Sequence, residues 1–154
     1  MTTLDRYVIV LWANDFEETA ATLFVTELRR AGLRVKVVGL TRRRSPGVCG
    51  LALDPDLTLD DALPLAGKTV CVVIPCSSPR VKQLKNDPRL REFLAQVDSN
   101  QARLVLSPLG EEDLIELQLF AGSGKTLFYP PREEMLEFVR ELAATLRQDM
   151  ERVG

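Results

Sequence analysis

The stretch from Tyr7 to Gly39 constrains the fold more than any other part of the chain. It opens with a strand-forming run, Tyr7, Val8, Ile9, Val10 and Leu11, and breaks at Asn14 and Asp15. From Phe16 to Ala31 the apolar residues Ala20, Leu23, Phe24, Leu28 and Ala31 recur at helical spacing. Gly32 ends that helix, and Val35, Val37 and Val38 make a second buried strand. Strand, helix and strand joined by short links predict a right-handed parallel crossover. Asp15 followed three residues later by Glu18 has the form of a capping box at the helix start.

The remaining residues repeat this alternation. Arg42 to Arg44 and Ser45-Pro46-Gly47 mark an exposed turn, and Gly47 to Leu53 suits a short hairpin or an edge strand. Asp54-Pro55-Asp56 is a further turn, followed by one or two helical turns over Leu59 to Leu65. Thr69 to Ile74 is almost wholly apolar, as a strand covered on both faces must be. Asp87 caps a helix with Pro88 at its first position and Leu90, Phe93, Leu94 and Val97 along one face. Leu104 to Leu106 and Thr126 to Phe128 read as strands, and Glu111 to Leu119 as a short helix between them. The final helix places Met135, Leu136, Val139, Leu142, Ala143 and Leu146 at helical spacing. Alternating strands and helices imply a parallel sheet with helices on both faces, a three-layer α/β/α sandwich. At 154 residues, without repeats or a linker, the chain reads as a single domain, 1–154.

Several function classes lose support at this level. A formal net charge of −2 offers no electrostatic case for nucleic acid or an anionic membrane. No apolar run approaches the ~18 residues of a membrane span, and Met1 to Asp5 is short and polar for a secretory leader. Cys49, Cys71 and Cys76 form neither a CxxC pair nor an even framework, so a reducing, cytoplasmic setting is expected. The chain has no histidine, which removes Ser-His and Cys-His pairs and imidazole metal ligands. No metal and no cofactor is expected.

In a doubly wound sheet ligands sit beyond the carboxyl ends of the strands, where the strand order reverses. Three loops are expected to meet there: Asn14 to Glu18, Pro75 to Pro79 and Ser107 to Glu112. Cys76 is either a reactive thiol at the pocket mouth or a small residue that closes a strand. Glu17 and Glu18 either line the pocket and bind a cation or amine, or stabilise the helix start at ~0.3–1 kcal/mol. The same stabilising role suits Glu111, Glu112 and Asp113. The "GSGKT" at Gly122 to Thr126 lacks the first glycine of a phosphate-binding loop, since Leu119 stands there, and it precedes a strand instead of following one. Arg42 to Arg44 have no aromatic neighbours and read as a solvated turn. A flavin or nucleotide binder would need a glycine-rich loop after the first strand, and none is present.

The segments "ANDFEE", "LRRAGLRVKVVGL", "DPDLTLDDAL" and "VCVVIP" resemble the ThiJ/PfpI superfamily, part of the class I glutamine amidotransferase-like group. The likeness is close over the first half and holds in outline over the second. It implies a flavodoxin-like doubly wound parallel sheet. It also implies three catalytic parts, which transfer to this chain one by one. The family's glutamate lies twelve residues before the glycine that ends the first helix, and here that position is Ala20. The family's cysteine stands on a tight turn after the fourth strand. Placing Gly110 of "VLSPLGEE" on the family's glycine puts Pro108 there, with Ser107 just before and Leu109 just after. The Pro-Gly-Gly turn that holds an oxyanion reads Pro75-Cys76-Ser77.

Losing one oxyanion donor lowers a rate by ~10²–10³, and losing the nucleophile by on the order of 10⁶. The resemblance therefore implies a non-catalytic domain whose vestigial pocket is formed by Asn14, Glu17, Ala20, Pro75, Cys76, Ser77, Ser107, Pro108, Leu109 and Gly110. Such a domain would act through dimerisation, partner binding or small-ligand sensing. Family members are commonly homodimers, which makes Trp12, Leu23 and Phe24 candidate interface residues. The alternative is a hydrolase or a glyoxalase/deglycase-type enzyme with chemistry relocated to Cys76, Ser107 and Glu17 or Glu18. Convergence of those side chains within hydrogen-bond reach separates the two.

Overall fold

The computed structural model describes residues 6–77, 84, 86–108, 110, 112, 115 and 125–153. The elements, in chain order, are β1 (Tyr7–Trp12), α1 (Glu18–Arg30), β2 (Val35–Gly39), β3 (Ser45–Pro46), β4 (Ala52–Leu53), β5 (Leu57–Thr58) and α2 (Leu59–Ala62). A 3₁₀ helix (Leu63–Lys68) leads into β6 (Thr69–Ile74), then α3 (Pro88–Ser99), β7 (Arg103–Leu106), β8 (Lys125–Phe128) and α4 (Arg132–Val153). Most of the expected Glu111 to Leu119 helix, together with Leu109 and Pro79, falls outside the described residues.

Six strands form one sheet in the order β5-β2-β1-β6-β7-β8. Every pairing in it is parallel. The order runs outward from β1 in one direction and from β6 in the other, so the reversal lies between these two central strands. Their residues explain the position. Val8 to Leu11 and Cys71 to Ile74 are fully buried or within 1% of it, which only residues apolar on both faces tolerate. The fold is thus the expected α/β flavodoxin-like architecture. Helices α1 and α4 pack together, and α2, the 3₁₀ helix and α3 form a second group. No helix among the described residues is long and apolar enough to cross a membrane.

Two helix ends show how local chemistry sets the chain's direction. Gly32 has φ +90°, its N–H donates to the Arg29 carbonyl (3.0 Å), and Leu33 N–H donates to the Leu28 carbonyl (3.1 Å). This double bond pattern terminates α1 and turns the chain into β2. The same pattern closes α3 through Gln101 and Ala102, although Gln101 must take φ +59°. At the other end of α3, Asp87 accepts the Arg89 N–H at 2.9 Å, as its sequence position predicted.

Several expectations need correction. The capping box is not formed: the residue before α1 is Glu17, Asp15 has φ +66°, and the Glu18 carboxylate points elsewhere. Leu136 is 39% exposed and faces solvent, while its neighbours Met135 and Val139 are buried. Leu57 and Thr58, which lie between the expected turn and the expected helix and had no assignment, add a short parallel strand beside β2. Asp56 fixes that edge by accepting the Val37 N–H (2.8 Å) and pairing with Arg29 (2.9 Å). Of the two alternatives expected for Gly47 to Leu53, the hairpin is the one formed: β3 and β4 pair antiparallel on either side of it.

Trp12 and Phe24 are unavailable to a partner. Trp12 stacks on Phe16 with ring centroids 5.0 Å apart, and Phe24 meets the edges of Tyr129 (5.6 Å) and Phe138 (6.3 Å) inside the core. Phe24 is fully buried because α4 lies over it. Leu23 remains half-buried.

Candidate functional site

The chain leaving β1 is stitched to two other segments before α1 begins. Phe16 bridges Gly47 on one side and Cys76 on the other. Asp15 N–H donates to the Pro46 carbonyl (2.8 Å), Val48 N–H to the Phe16 carbonyl (3.0 Å), and Glu17 N–H to the Pro75 carbonyl (2.7 Å). These bonds occupy backbone groups that a bare loop would leave to water. They also bring the ends of β1 and β6, the reversal point of the sheet, against the β3–β4 hairpin. Glu17 and Glu18 emerge from this junction, and Ser107, following β7, reaches the same space.

A cleft of about 520 Å³ opens there. Glu17, Glu18, Ala20, Ser107 and Pro108 line it, as the loop rule anticipated. Val48 and Leu51 of the hairpin give one apolar wall, and Met135 and Pro130 give another. Asn14, Ser77 and Gly110 are exposed and do not contribute to the lining. Pro75 and Cys76 are buried behind it. Cys76 is therefore not at the mouth: Phe16 pairs with it along the backbone and it has no exposed surface.

Two contacts dominate the cleft. The Tyr129 hydroxyl donates to Glu17 Oε1, joining residues 112 positions apart. Tyr129 is placed by its own N–H, which donates to the Leu106 carbonyl (2.9 Å) and continues the β7–β8 ladder past the strand end. Burial pushes the phenol's pKa far up, and the bond to the Glu17 carboxylate, that carboxylate's charge and nearby Cys76 push the same way. Ser107 reaches the same hydroxyl and acts in the opposite direction. The phenol is thus held as a protonated donor.

The second contact is made by Glu18. Its Oε2 accepts the N–H groups of Cys49 (2.7 Å) and Leu51 (3.2 Å) and so ties the hairpin to the start of α1. Desolvation opposes its charge. Bonds from its own amide and those of Leu51 and Cys49, with a further bond from the Cys49 side chain, prevail and hold the carboxyl below its ordinary 4.5. Gly47 makes room for this: a Cβ there would lie 2.3 Å from Glu18 Cδ. At the far rim Arg132 Nη2 donates to Thr19 Oγ1 (3.2 Å) and links α4 to α1.

The expected convergence is therefore partial. Glu17 and Ser107 meet, but through Tyr129, which the reading of the chain did not single out. Tyr129 could have been found, since it follows a parallel strand at the carboxyl edge, where ligand loops lie. Cys49, exposed on the hairpin beside Glu18, was likewise noted only as a cysteine. Among the described residues no group of three or more Cys, Asp or Glu side chains is placed to hold a metal ion.

The family pattern for DJ-1/PfpI proteins matches residues 6–144. The chain belongs to the DJ-1/PfpI family. Solved structures of similar proteins agree with the fold. Drosophila melanogaster DJ-1beta superposes with a TM-score of 0.76 at 17% identity, covering 95% of this chain and 91% of that one. Oxidized Toxoplasma gondii DJ-1 gives 0.71 at 17% identity, with 96% and 95% covered. A ThiJ/PfpI domain protein from Brachyspira murdochii gives 0.70 at 13% identity, with 94% and 97% covered. At these identities the likeness speaks for the DJ-1/PfpI fold alone.

Proposed function

We propose that this DJ-1/PfpI domain is a non-catalytic sensor that holds a small molecule in the cleft at the start of α1. One observation carries the reading. Glu17, the acid beside Ser107, is engaged by the phenol of Tyr129, itself held protonated. A protonated phenol cannot take the proton of a serine hydroxyl, so Ser107 has no base in this arrangement. Ala20 and Pro108 line the same cleft at the two positions where the family resemblance implies an acid and a nucleophile. Cys76 is enclosed and cannot reach a ligand. What remains suits binding: apolar walls from Val48, Leu51 and Met135, and a few directed polar groups.

The test has two arms. Incubation with methylglyoxal should give no turnover; turnover comparable to an active relative sinks the non-catalytic reading. Thermal unfolding with a panel of primary amines and short carboxylic acids should reveal at least one stabilising compound. That stabilisation should vanish in Ser107→Phe, which fills the cleft, and its survival there places the ligand elsewhere.

A second reading, an enzyme with relocated chemistry, is favoured by one fact: Glu17, Ser107 and Cys76 all act on Tyr129. Hydrolysis of p-nitrophenyl acetate that Ser107→Ala abolishes would support it. A homodimer is a separate proposal, for which light scattering gives the mass directly. Leu23 stays available for such an interface.

A further inference from the structure

The β3–β4 hairpin stands apart from the six-stranded sheet and is closed by two residue pairs, Ser45 with Leu53 and Pro46 with Ala52. A two-stranded hairpin that short is at best marginally stable in water, so its position depends on what it is tied to. Its tip, residues 47–51, is a tight turn. Gly50, at φ +90°, donates its N–H to the Gly47 carbonyl (3.0 Å), and Gly47 N–H donates to the Leu51 carbonyl (2.8 Å). Both bonds lie inside the tip and move with it.

Three backbone N–H groups tie the tip to the rest of the domain. Val48 N–H donates to the Phe16 carbonyl (3.0 Å), and Glu18 Oε2 accepts Cys49 N–H (2.7 Å) and Leu51 N–H (3.2 Å). Among the described residues, Glu18 is the one side chain outside the tip that bonds to residues 47–51. Apolar burial does not take its place, since Val48 is 59% and Leu51 46% exposed. Hydrogen bonds to an ionised acceptor are roughly twice as strong as neutral ones. Two of the three ties therefore run through a single carboxylate, and they hold the same segment that gives the cleft its wall of Val48 and Leu51.

We propose that the tip is a gate of the cleft with Glu18 as its latch: residues 47–51 swing away as a unit, without the rest of the domain unfolding, and carry Val48 and Leu51 with them. The hinge follows from the bonds alone, whereas its use as a gate rests on the reading of the cleft as a binding site. An apolar ligand seated against Val48 and Leu51 buries side chains that are otherwise exposed, and so favours the shut form.

Amide exchange of the full chain in low concentrations of urea tests the latch. Val48, Cys49 and Leu51 should exchange through one shared opening, more frequent than the unfolding that exposes β1 and β6 and almost independent of urea. Glu18→Ala should speed all three by about tenfold or more, and Glu18→Gln, which keeps an oxygen acceptor without the charge, by less. Val48 decides the matter, because its own acceptor, the Phe16 carbonyl, is untouched by either variant. Faster exchange confined to Cys49 and Leu51 overturns the proposal, as does exchange at the tip that follows β1 and β6. The binding arm uses n-hexylamine and hexanoate. Whichever raises the unfolding temperature of the parent and not of Ser107→Phe should slow exchange at the tip by about threefold or more. Stabilisation without that slowing overturns the gate. Stabilisation by neither compound defeats the gate through the reading on which it rests, a result distinct from failure at Val48.

Discussion

Tyr129→Phe removes one oxygen and leaves the rest of the ring in place. The edge contact with Phe24 at 5.6 Å survives, so the change isolates the bond to Glu17. A hydrogen bond to a charged acceptor contributes about 1.5–3 kcal/mol. Glu17 is only half-buried, so water replaces part of what the phenol supplied, and the lower portion of that range applies. Ser107, which also reaches the phenol oxygen, loses that partner, but it is half-buried at the cleft and water can take its place. The expected loss is therefore about 1–2 kcal/mol, or about 2–8 °C in Tm for a domain of this size. Urea unfolding with an unchanged m-value gives the number directly. The partner variant Glu17→Gln and the double variant complete a cycle, and the coupling should be about 1 kcal/mol. A Tyr129→Phe protein as stable as its parent, or a coupling near zero, would show that the contact does not hold the cleft together.

Gly47→Ala should displace the Glu18 carboxylate, since the new Cβ would lie 2.3 Å from Cδ. Amide exchange at Cys49 and Leu51 should then speed by about tenfold, and in a Glu18→Ala background the same substitution should do almost nothing. Phe24→Ala should lower stability by about 3–5 kcal/mol, as truncation of a fully buried ring does, without changing the oligomeric mass at concentrations where it stays folded. Gln101→Gly relieves a side chain held at φ +59° and should stabilise by about 0.5–1 kcal/mol in thermal unfolding. The Arg89 side chain, the chief cause, holds the Asp87 carboxyl below its ordinary 3.8. A lowered folded value means the contribution is present above 3.8 and is lost as pH falls through the folded value. Asp87→Ala should thus cost about 1 kcal/mol at neutral pH, and urea unfolding should show that gap closing in acid.

Sequence reading succeeded where the cause of structure is local. The all-apolar run of β6, the Asp87-Pro88 start of α3 and the Gly32 stop each carry their own signal, and each stands where expected. It failed where a distant segment outbid the local one. Asp15 and Glu18 have capping-box spacing, yet the Glu18 carboxylate finds amides 31 and 33 residues away. The two residues of β5 form a strand only because Asp56 is clamped by Arg29 and Val37. Phe24 looks like a free helix face until α4 covers it. In the cleft, Glu17 and Ser107 were visible from loop positions alone. Tyr129 was not, because its partner lies near the opposite end of the chain.

That separation sets the order in which the structure is completed. A polypeptide emerging from the ribosome can wind α1 and pair β1 with β2 early, from neighbours in sequence. The Glu17–Tyr129 bond must wait until 112 further residues have been synthesised and the last strand has joined the sheet. No nascent fragment ending before residue 129 contains that bond, so the cleft is among the last features of the domain to mature.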